Sequence, residues 1–172
     1  FLLISRNKTS LMNKRDFILA AAASTLGLPS LATASEPLLI LDGDVSGGPF
    51  VNLSDHDLAA LPQTAFETTT QWTTGSRRFS GPLLADLLHH YGAGPGDLRL
   101  AAINAYSMMV NRNLVTSEAP IIANRIDGQP FSRRDKGPFW VIFPYDLATV
   151  YRSEQIFAAS VWQLSQITVL GG

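Results

Sequence analysis

Basic residues cluster late in the chain, and this cluster is the first candidate for binding chemistry. Residues 125–138 hold four cations and two glycines: Arg125, Arg133, Arg134 and Lys136, with Gly128 and Gly137. A guanidinium group offers several hydrogen-bond donors in one plane, so such a cluster suits an anion or a polar heterocycle. The alternative is a solvated turn in which arginines pair with nearby aspartates, and spacing alone does not choose between the two.

Aromatic residues are the second candidate, because a flat ligand needs a ring to stack on. Trp72 follows a polar threonine run, which favours a position at the surface or in a pocket. Trp140 lies in the apolar run 139–143, which favours the core. Tyr106 and Trp162 complete the set of aromatic candidates.

Several classes of chemistry find no support in the composition. The sequence has no cysteine, which excludes thiolate nucleophiles, disulfides and cysteine-ligated metals. Two of the three histidines, His89 and His90, are adjacent and would point about 100° apart on a helix, so they do not form a metal site. No nucleophile elbow or phosphate-binding loop motif is present. A formal charge of −1 lacks the positive field that nucleic acid requires, so no nucleic-acid partner is expected.

The N-terminal segment has the pattern of an export signal. Met12 precedes a basic pair, an apolar stretch at residues 17–28 and small residues at Ala32 and Ala34. This order predicts a signal peptide over 12–34, an upstream extension over 1–11 and a mature domain over 35–172. The motif at 13–18 is close to a twin-arginine signal, but its first arginine is a lysine, so we expect export in the unfolded state. The expected location is the periplasm.

The pattern of the mature chain predicts one α+β domain with a mixed sheet and short helices. Ser54 and Asp57 form a capping box that opens a short helix. Residues 64–70 predict a strand, and Gly81 and Pro82 predict the start of the best helix. Residues 98–103, 106–110 and 161–170 are strand-like, residues 121–126 with Phe131 resemble a hairpin, and the run 139–143 predicts a central strand.

Five segments together resemble a known family, the oxidoreductase molybdopterin-binding domain, which has the sulfite-oxidase fold. They are residues 66–73 (FETTTQWT), 79–88 (FSGPLLADLL), 101–107 (AAINAYS), 134–144 (RDKGPFWVIFP) and 160–164 (SVWQL). The chain is most similar to a small exported branch of pterin-binding proteins in that family. The resemblance therefore implies a single domain with the sulfite-oxidase-like fold.

The resemblance also implies where a ligand would bind. Family enzymes hold molybdenum through one cysteine near the position of residues 68–70, where this chain has Thr68, Thr69 and Thr70. A threonine hydroxyl is a poor ligand for a soft metal, so no metal is expected. The implied ligand is an unphosphorylated, reduced pterin, because residues 160–162 lack the lysines of the family's pterin-side segment. The implied pterin-binding residues are Trp72, Asn104, Tyr106, Ser107, Arg125, Ser132, Arg134, Asp135 and Lys136.

The function implied is binding rather than catalysis. In this interpretation Trp72 stacks on the pterin, Arg125, Arg134 and Lys136 donate to it, and Asp135 accepts from its amine or else pairs with an arginine. The implied partner is the periplasmic sensor domain of an inner-membrane signalling protein. One alternative is a molybdopterin-dependent oxidoreductase, or its subunit, with a metal ligand other than cysteine. Another alternative is a structural module without a ligand.

Overall fold

The largest sheet joins the two ends of the described chain. The computed structural model describes residues 39–171, so the extension at 1–11 and the signal peptide at 12–34 lie outside the described residues. In chain order the elements are β1 (Leu39–Gly43), β2 (Phe50–Leu53), α1 (Asp55–Ala60), β3 (Gln63–Thr69), β4 (Ser76–Pro82), α2 (Leu84–His90), β5 (Leu98–Ala102), β6 (Ser107–Val110), β7 (Ile121–Ala123), β8 (Arg125–Ile126), β9 (Trp140–Ile142), α3 (Glu154–Ala159) and β10 (Leu164–Val169), with short 3-10 turns at Arg112–Leu114, Arg133–Asp135 and Thr149–Arg152.

The largest sheet is mixed, as the sequence predicts. The five-stranded sheet has the order β2-β1-β10-β5-β6, in which β1 and β10 are parallel and the other neighbours are antiparallel. Strands β3, β4 and β8 form a second, antiparallel sheet, and β7 pairs with β9. With three short α-helices beside these sheets, the described residues confirm the α+β class. None of the helices within residues 39–171 is both long and apolar enough to cross a membrane.

Helix α1 begins as its capping box predicts. The Ser54 hydroxyl accepts from the Asp57 backbone amide at 3.2 Å, and the Asp57 carboxylate accepts from the Ser54 backbone amide at 2.8 Å. Two backbone donors at the start of the helix are thereby satisfied. The helix buries only Leu58, so its principal role is to present Asp55 to the second sheet.

Helix α2 begins later than predicted, because Gly81 and Pro82 belong to strand β4. A side chain at Gly81 would place its Cβ 2.0 Å from the carbonyl oxygen of Ile122. The glycine therefore serves the close approach of β4 to β7 rather than a helix start. The helix begins at Leu84 and buries Leu84, Leu87 and Leu88, as the apolar spacing predicts.

The apolar run at 139–143 is buried throughout, but its strand β9 pairs with β7 alone and not within a larger sheet. Along its other edge, the Val141 amide donates to the Val161 carbonyl at 3.0 Å, so the strand is enclosed on both sides. The hairpin predicted from 121–126 to Phe131 forms only at its tip, where Ile126 and Gln129 pair antiparallel through two backbone hydrogen bonds of 2.9 and 3.0 Å. Strand β7 pairs with β9 instead, and Phe131 packs over Gly137, where a Cβ would lie 2.0 Å from the Phe131 carbonyl oxygen.

Candidate functional site

Trp72 lies in the turn between β3 and β4, half-buried among other rings. The turn is fixed locally, because the Trp72 amide donates to the Thr70 hydroxyl at 3.1 Å. Four aromatic rings surround the indole at centroid distances of 5.4–6.4 Å and steep interplanar angles: those of Trp140, Tyr145, Phe157 and Trp162. The indole is thus held in place without a parallel stacking partner among these four neighbours.

The first cavity, which we call the basic cavity, joins Trp72 to the late basic turn. It has a volume of about 410 Å³, and Arg134, Asp135 and Lys136 line it together with Trp72. The remaining lining residues are Thr73, Thr74, Arg77, Ile126, Gln129, Pro130 and Phe131. The structure therefore brings Trp72 together with three consecutive residues more than 60 positions later in the sequence, and the resemblance assigns all four to one pterin site.

The basic turn has a defined backbone conformation. A 3-10 turn at Arg133–Asp135 ends at Lys136, whose φ of 72° is left-handed. The Ser132 hydroxyl donates to the Asp135 carboxylate at 2.8 Å, and the Gln163 side chain donates to the Arg133 carbonyl at 2.8 Å. These bonds order the turn before any ligand binds, which lowers the entropic cost of binding.

The charges in the basic cavity are only partly paired. Arg77 forms an ion pair with Asp127 at 2.6 Å. Across residues 39–171, neither Arg134 nor Lys136 lies within ion-pair distance of a carboxylate. The local pairing of Arg134 with Asp135, which the sequence left as an alternative, is therefore not formed. The cavity offers cationic donors from Arg134 and Lys136 and an acceptor from Asp135.

The second cavity, which we call the aromatic cavity, also has Trp72 in its lining. It has a volume of about 300 Å³ and contains two further predicted residues, Asn104 and Tyr106. The other lining residues are Gln71, Ala102, Phe157, Ala158, Ser160, Val161 and Trp162. Trp72 is the single residue that contributes to both cavities, so the predicted site is divided between them.

Three predicted site residues line neither cavity. Ser107 opens strand β6 and is exposed, and Ser132 supports the basic turn through Asp135. Arg125 forms a two-pronged ion pair with Asp55, at 2.8 Å from Nη1 and 2.7 Å from Nη2. The Arg125 hydrogen bond is the main cause that holds the pKa of Asp55 below its ordinary value. The Arg125 guanidinium is thus bound by the carboxylate of Asp55, 70 positions away in the sequence, and it lines neither cavity.

Among the cavity residues that sequence reasoning missed are Arg77 and Phe157. Antiparallel pairing of β3 with β4 places Arg77 opposite Thr68, beside the turn that carries Trp72. The glycine turn at Gly75 between two strand-like stretches is the signal that could have placed Arg77 near Trp72. Phe157 lies on α3, and no local pattern relates that helix to residues 72 or 106.

The residues present do not fit a molybdenum centre. The sequence contains no cysteine, and within the described part no group of three histidine, aspartate or glutamate residues could hold a metal. Thr68 is fully buried, and its hydroxyl accepts from the Asp146 amide at 3.2 Å. The Thr69 hydroxyl and amide both donate to the Asp146 carboxylate, at 2.9 Å and 2.6 Å. The threonines are therefore used in hydrogen bonds that fix the segment after β9, and no chemical step is assigned to a metal here.

The residues of the basic cavity do fit a pterin ring. Its amide-like edge needs donors and an acceptor, which Arg134, Lys136 and Asp135 provide, and its faces need an aromatic neighbour, which Trp72 provides.

Comparison with known proteins shows a similarity of fold. No family model matches the chain, and no curated protein matches it. Among solved structures, the fold is similar to that of the sulfane dehydrogenase SoxCD from Paracoccus pantotrophus, with a TM-score of 0.59 and 16% sequence identity. The match covers 78% of this chain and 38% of that one, so the chain spans well under half the length of its structural neighbour. The α+β fold is thus one that a dehydrogenase also contains.

Proposed function

We propose that this chain is a periplasmic pterin-binding protein that does no redox chemistry itself, with the sulfite-oxidase-like fold that its motifs resemble. The single observation that carries the proposal is the basic cavity, in which Trp72 and the Arg134–Lys136 turn share one space of about 410 Å³. Ligand cavities in proteins start at about 300 Å³, so a bicyclic ring fits this volume.

The chemistry of the cavity favours a pterin over a simple anion. Arg134 and Lys136 alone would suit any anion, but Asp135 lines the same space and would repel one. A pterin needs both kinds of group, because its ring carries acceptor oxygen and nitrogen atoms as well as an exocyclic amine that donates. Trp72 supplies the aromatic surface that such a ring stacks on.

Two features favour an unphosphorylated ligand held without metal. Residues 160–162 lack the lysines of the family's pterin-side segment, so the resemblance favours an unphosphorylated ligand. The threonines at 68–70 line neither cavity, and a hydroxyl is a weak ligand for a soft metal. The pterin itself is proposed to be reduced, by resemblance to the family branch.

Calorimetric titration with a tetrahydropterin tests the proposal, with two neighbouring arginines as a matched pair. Arg134→Ala removes a charged donor from the cavity and should weaken binding by about 10- to 100-fold, the value of one or two charge-assisted hydrogen bonds. Arg133→Ala removes an equal charge from the same turn but not from the cavity lining, and should leave affinity unchanged. Absence of heat with the unmodified chain, or equal losses in both variants, would contradict the proposal.

Export and signalling belong to the same proposal and rest on residues 12–34 and the family resemblance. Expression in a double-membraned bacterium should yield a periplasmic product whose N-terminus is Ser35. The proposed partner is the periplasmic sensor domain of an inner-membrane signalling protein, which would register pterin occupancy. Cross-linking in periplasm with and without a tetrahydropterin should give a membrane-protein adduct whose yield changes with the pterin. A pterin-independent yield would refute the relay.

The fold shared with a dehydrogenase favours one second candidate, an oxidoreductase or its subunit with a non-cysteine metal ligand. Elemental analysis of the protein purified from periplasm separates the two candidates. Molybdenum at a ratio near one per chain would establish the second candidate, and a molybdenum content well below that ratio would exclude it.

A further inference from the structure

We infer that the aromatic cavity is a second ligand site, which takes a small uncharged aromatic molecule of one or two rings. The pterin proposal rests on the basic cavity, and of the residues that the resemblance assigns to a pterin, Asn104 and Tyr106 line this cavity instead. Its lining is mostly apolar, with Trp72, Tyr106, Phe157 and Trp162 as its aromatic members. An apolar cavity of about 150 Å³ is large enough to bind benzene, so a volume of about 300 Å³ accommodates a bicycle.

The absence of charge in the lining sets the ligand class. No lysine, arginine, aspartate or glutamate lines the aromatic cavity, whereas four charged residues line the basic one. Moving an ionised group from water into such surroundings is costly without a partner, so a charged ligand is disfavoured. The Ser160 hydroxyl is engaged by Tyr145 and Ile156, so the Gln71 side chain and the Asn104 amide nitrogen are the groups that select for a ligand with one or two neutral hydrogen-bonding groups.

The walls of this cavity are held by hydrogen bonds rather than by the ligand. The Tyr145 hydroxyl donates to the Ser160 hydroxyl at 2.6 Å, which donates in turn to the Ile156 carbonyl at 2.7 Å. These bonds fix the end of α3 against the segment after β9 that carries Tyr145. A preformed cavity spends little binding free energy on ordering its own side chains.

The mouth is fixed as well. The Tyr106 hydroxyl donates to the Ala158 carbonyl at 3.1 Å, and this bond spans from the β5–β6 turn to α3. The Tyr106 amide donates to the Asn104 side-chain oxygen at 3.1 Å, which keeps the turn closed. Tyr106 is 46% exposed, so one side of the cavity opens to solvent and a small molecule can enter.

The two cavities form separate sites. Trp72 is the one residue they share, and the cationic turn that defines the basic cavity is absent from the lining of the aromatic one. Occupancy of the two sites is therefore independent except through the position of the Trp72 indole. The inference stands whether or not a pterin binds.

Nuclear magnetic resonance of the full chain with indole as the probe tests this site. The three tryptophans give three indole N–H signals, and we expect those of Trp72 and Trp162 to shift as indole binds with a dissociation constant on the order of 0.1–1 mM. Indole-3-acetate and tryptamine keep the ring but add a negative or a positive charge. Each should bind at least about tenfold more weakly than indole. Equal affinities for all three compounds would overturn the assignment of an uncharged ligand.

Two variants distinguish this site from the pterin site. Ala158→Leu fills the aromatic cavity and should abolish the indole shifts, while Arg134→Ala should leave them unchanged. If Arg134→Ala loses tetrahydropterin binding but keeps indole binding, both sites are supported. If the unmodified chain binds indole but no pterin, only the pterin proposal is refuted. Should Ala158→Leu not fold, shifts of Trp72 and Trp162 in the unmodified chain decide the matter. N-acetyltryptophanamide binding more than tenfold tighter than indole would assign the cavity to a partner's side chain and overturn the inference.

Discussion

The ion pair of Arg125 with Asp55 allows a prediction that separates folding from ligand binding. Breaking a buried pair costs about 3–5 kcal/mol, and an exposed pair is worth about 0.2–1 kcal/mol. The two side chains are 28% and 30% exposed, which places this pair between those limits. We therefore expect Arg125→Ala to lower the free energy of unfolding by about 1–2 kcal/mol, with no change in pterin affinity.

Removing the carboxylate should cost more than removing the guanidinium. The Asn124 side-chain amide donates to Asp55 at 2.9 Å, and Asn124 is only 2% exposed, with no hydrogen-bond partner for its side-chain oxygen among residues 39–171. Asp55→Ala leaves that buried amide unsatisfied as well, which adds about 1–3 kcal/mol to the loss. Asp55→Ala should thus destabilise the protein more than Arg125→Ala does.

Urea unfolding monitored by tryptophan fluorescence gives the values. For an m-value of roughly 2 kcal/mol per molar urea, the Arg125→Ala midpoint should fall by about 0.5–1 M. The double variant should show a coupling of about 1 kcal/mol relative to the sum of the single variants. Additive losses, or a weakened pterin affinity in Arg125→Ala, would refute the assignment of Arg125 to folding.

The other predictions concern pH and close packing. The pKa of Asp55 lies below its ordinary value, so the stability that its carboxylate contributes is present at neutral pH and is lost as the pH falls below about 4. Melting temperatures measured from pH 6 to 2.5 should show this loss, and a constant melting temperature over that range would contradict it. Burial raises the pKa of Tyr145 to about 12, so the free energy of unfolding should fall as the pH rises above 10. The fall should be less steep in the variant Tyr145→Phe, and an identical slope in both proteins would contradict this. Gly81→Ala forces a Cβ against the Ile122 carbonyl and should lower the free energy of unfolding, measured in urea, by roughly 2 kcal/mol or more. A decrease below about 0.5 kcal/mol would mean that β4 and β7 separate easily.

Local patterns predicted much of the fold because the forces behind them are local. The capping box at Ser54 and Asp57 is a pair of hydrogen bonds three residues apart, and it forms as predicted. The predicted start of α2 was wrong because the contact that keeps Gly81 in strand β4 is made with Ile122, 41 positions away in the sequence. A glycine followed by proline is equally typical of a helix start and of a close crossing of strands, and only the tertiary neighbour distinguishes them.

The candidate site was predictable in its composition but not in its charge pairing. The cluster at 125–138 contains Arg134, Asp135 and Lys136, and the structure places these three residues in the lining of one cavity with Trp72. Nothing within that cluster indicates that Arg125 faces Asp55, because an ion pair between β8 and α1 depends on how the second sheet meets the helix. Only the fold therefore shows that, of the four cations in this stretch, Arg134 and Lys136 line the cavity and Arg125 forms an ion pair.

The threonines at 68–70 connect the metal question to the position of Trp72. Side chains alternate along β3, so Thr68 is buried while Thr69 reaches the Asp146 carboxylate at the surface, and Thr70 then closes the turn by accepting from the Trp72 amide. A thiolate at these positions would bind a metal, but it would be a weaker hydrogen-bonding partner for these backbone amides. Of the three hydroxyls, that of Thr70 fixes the turn that carries Trp72, so the hydrogen bond that a thiolate would weaken there is the one that positions the residue shared by both cavities.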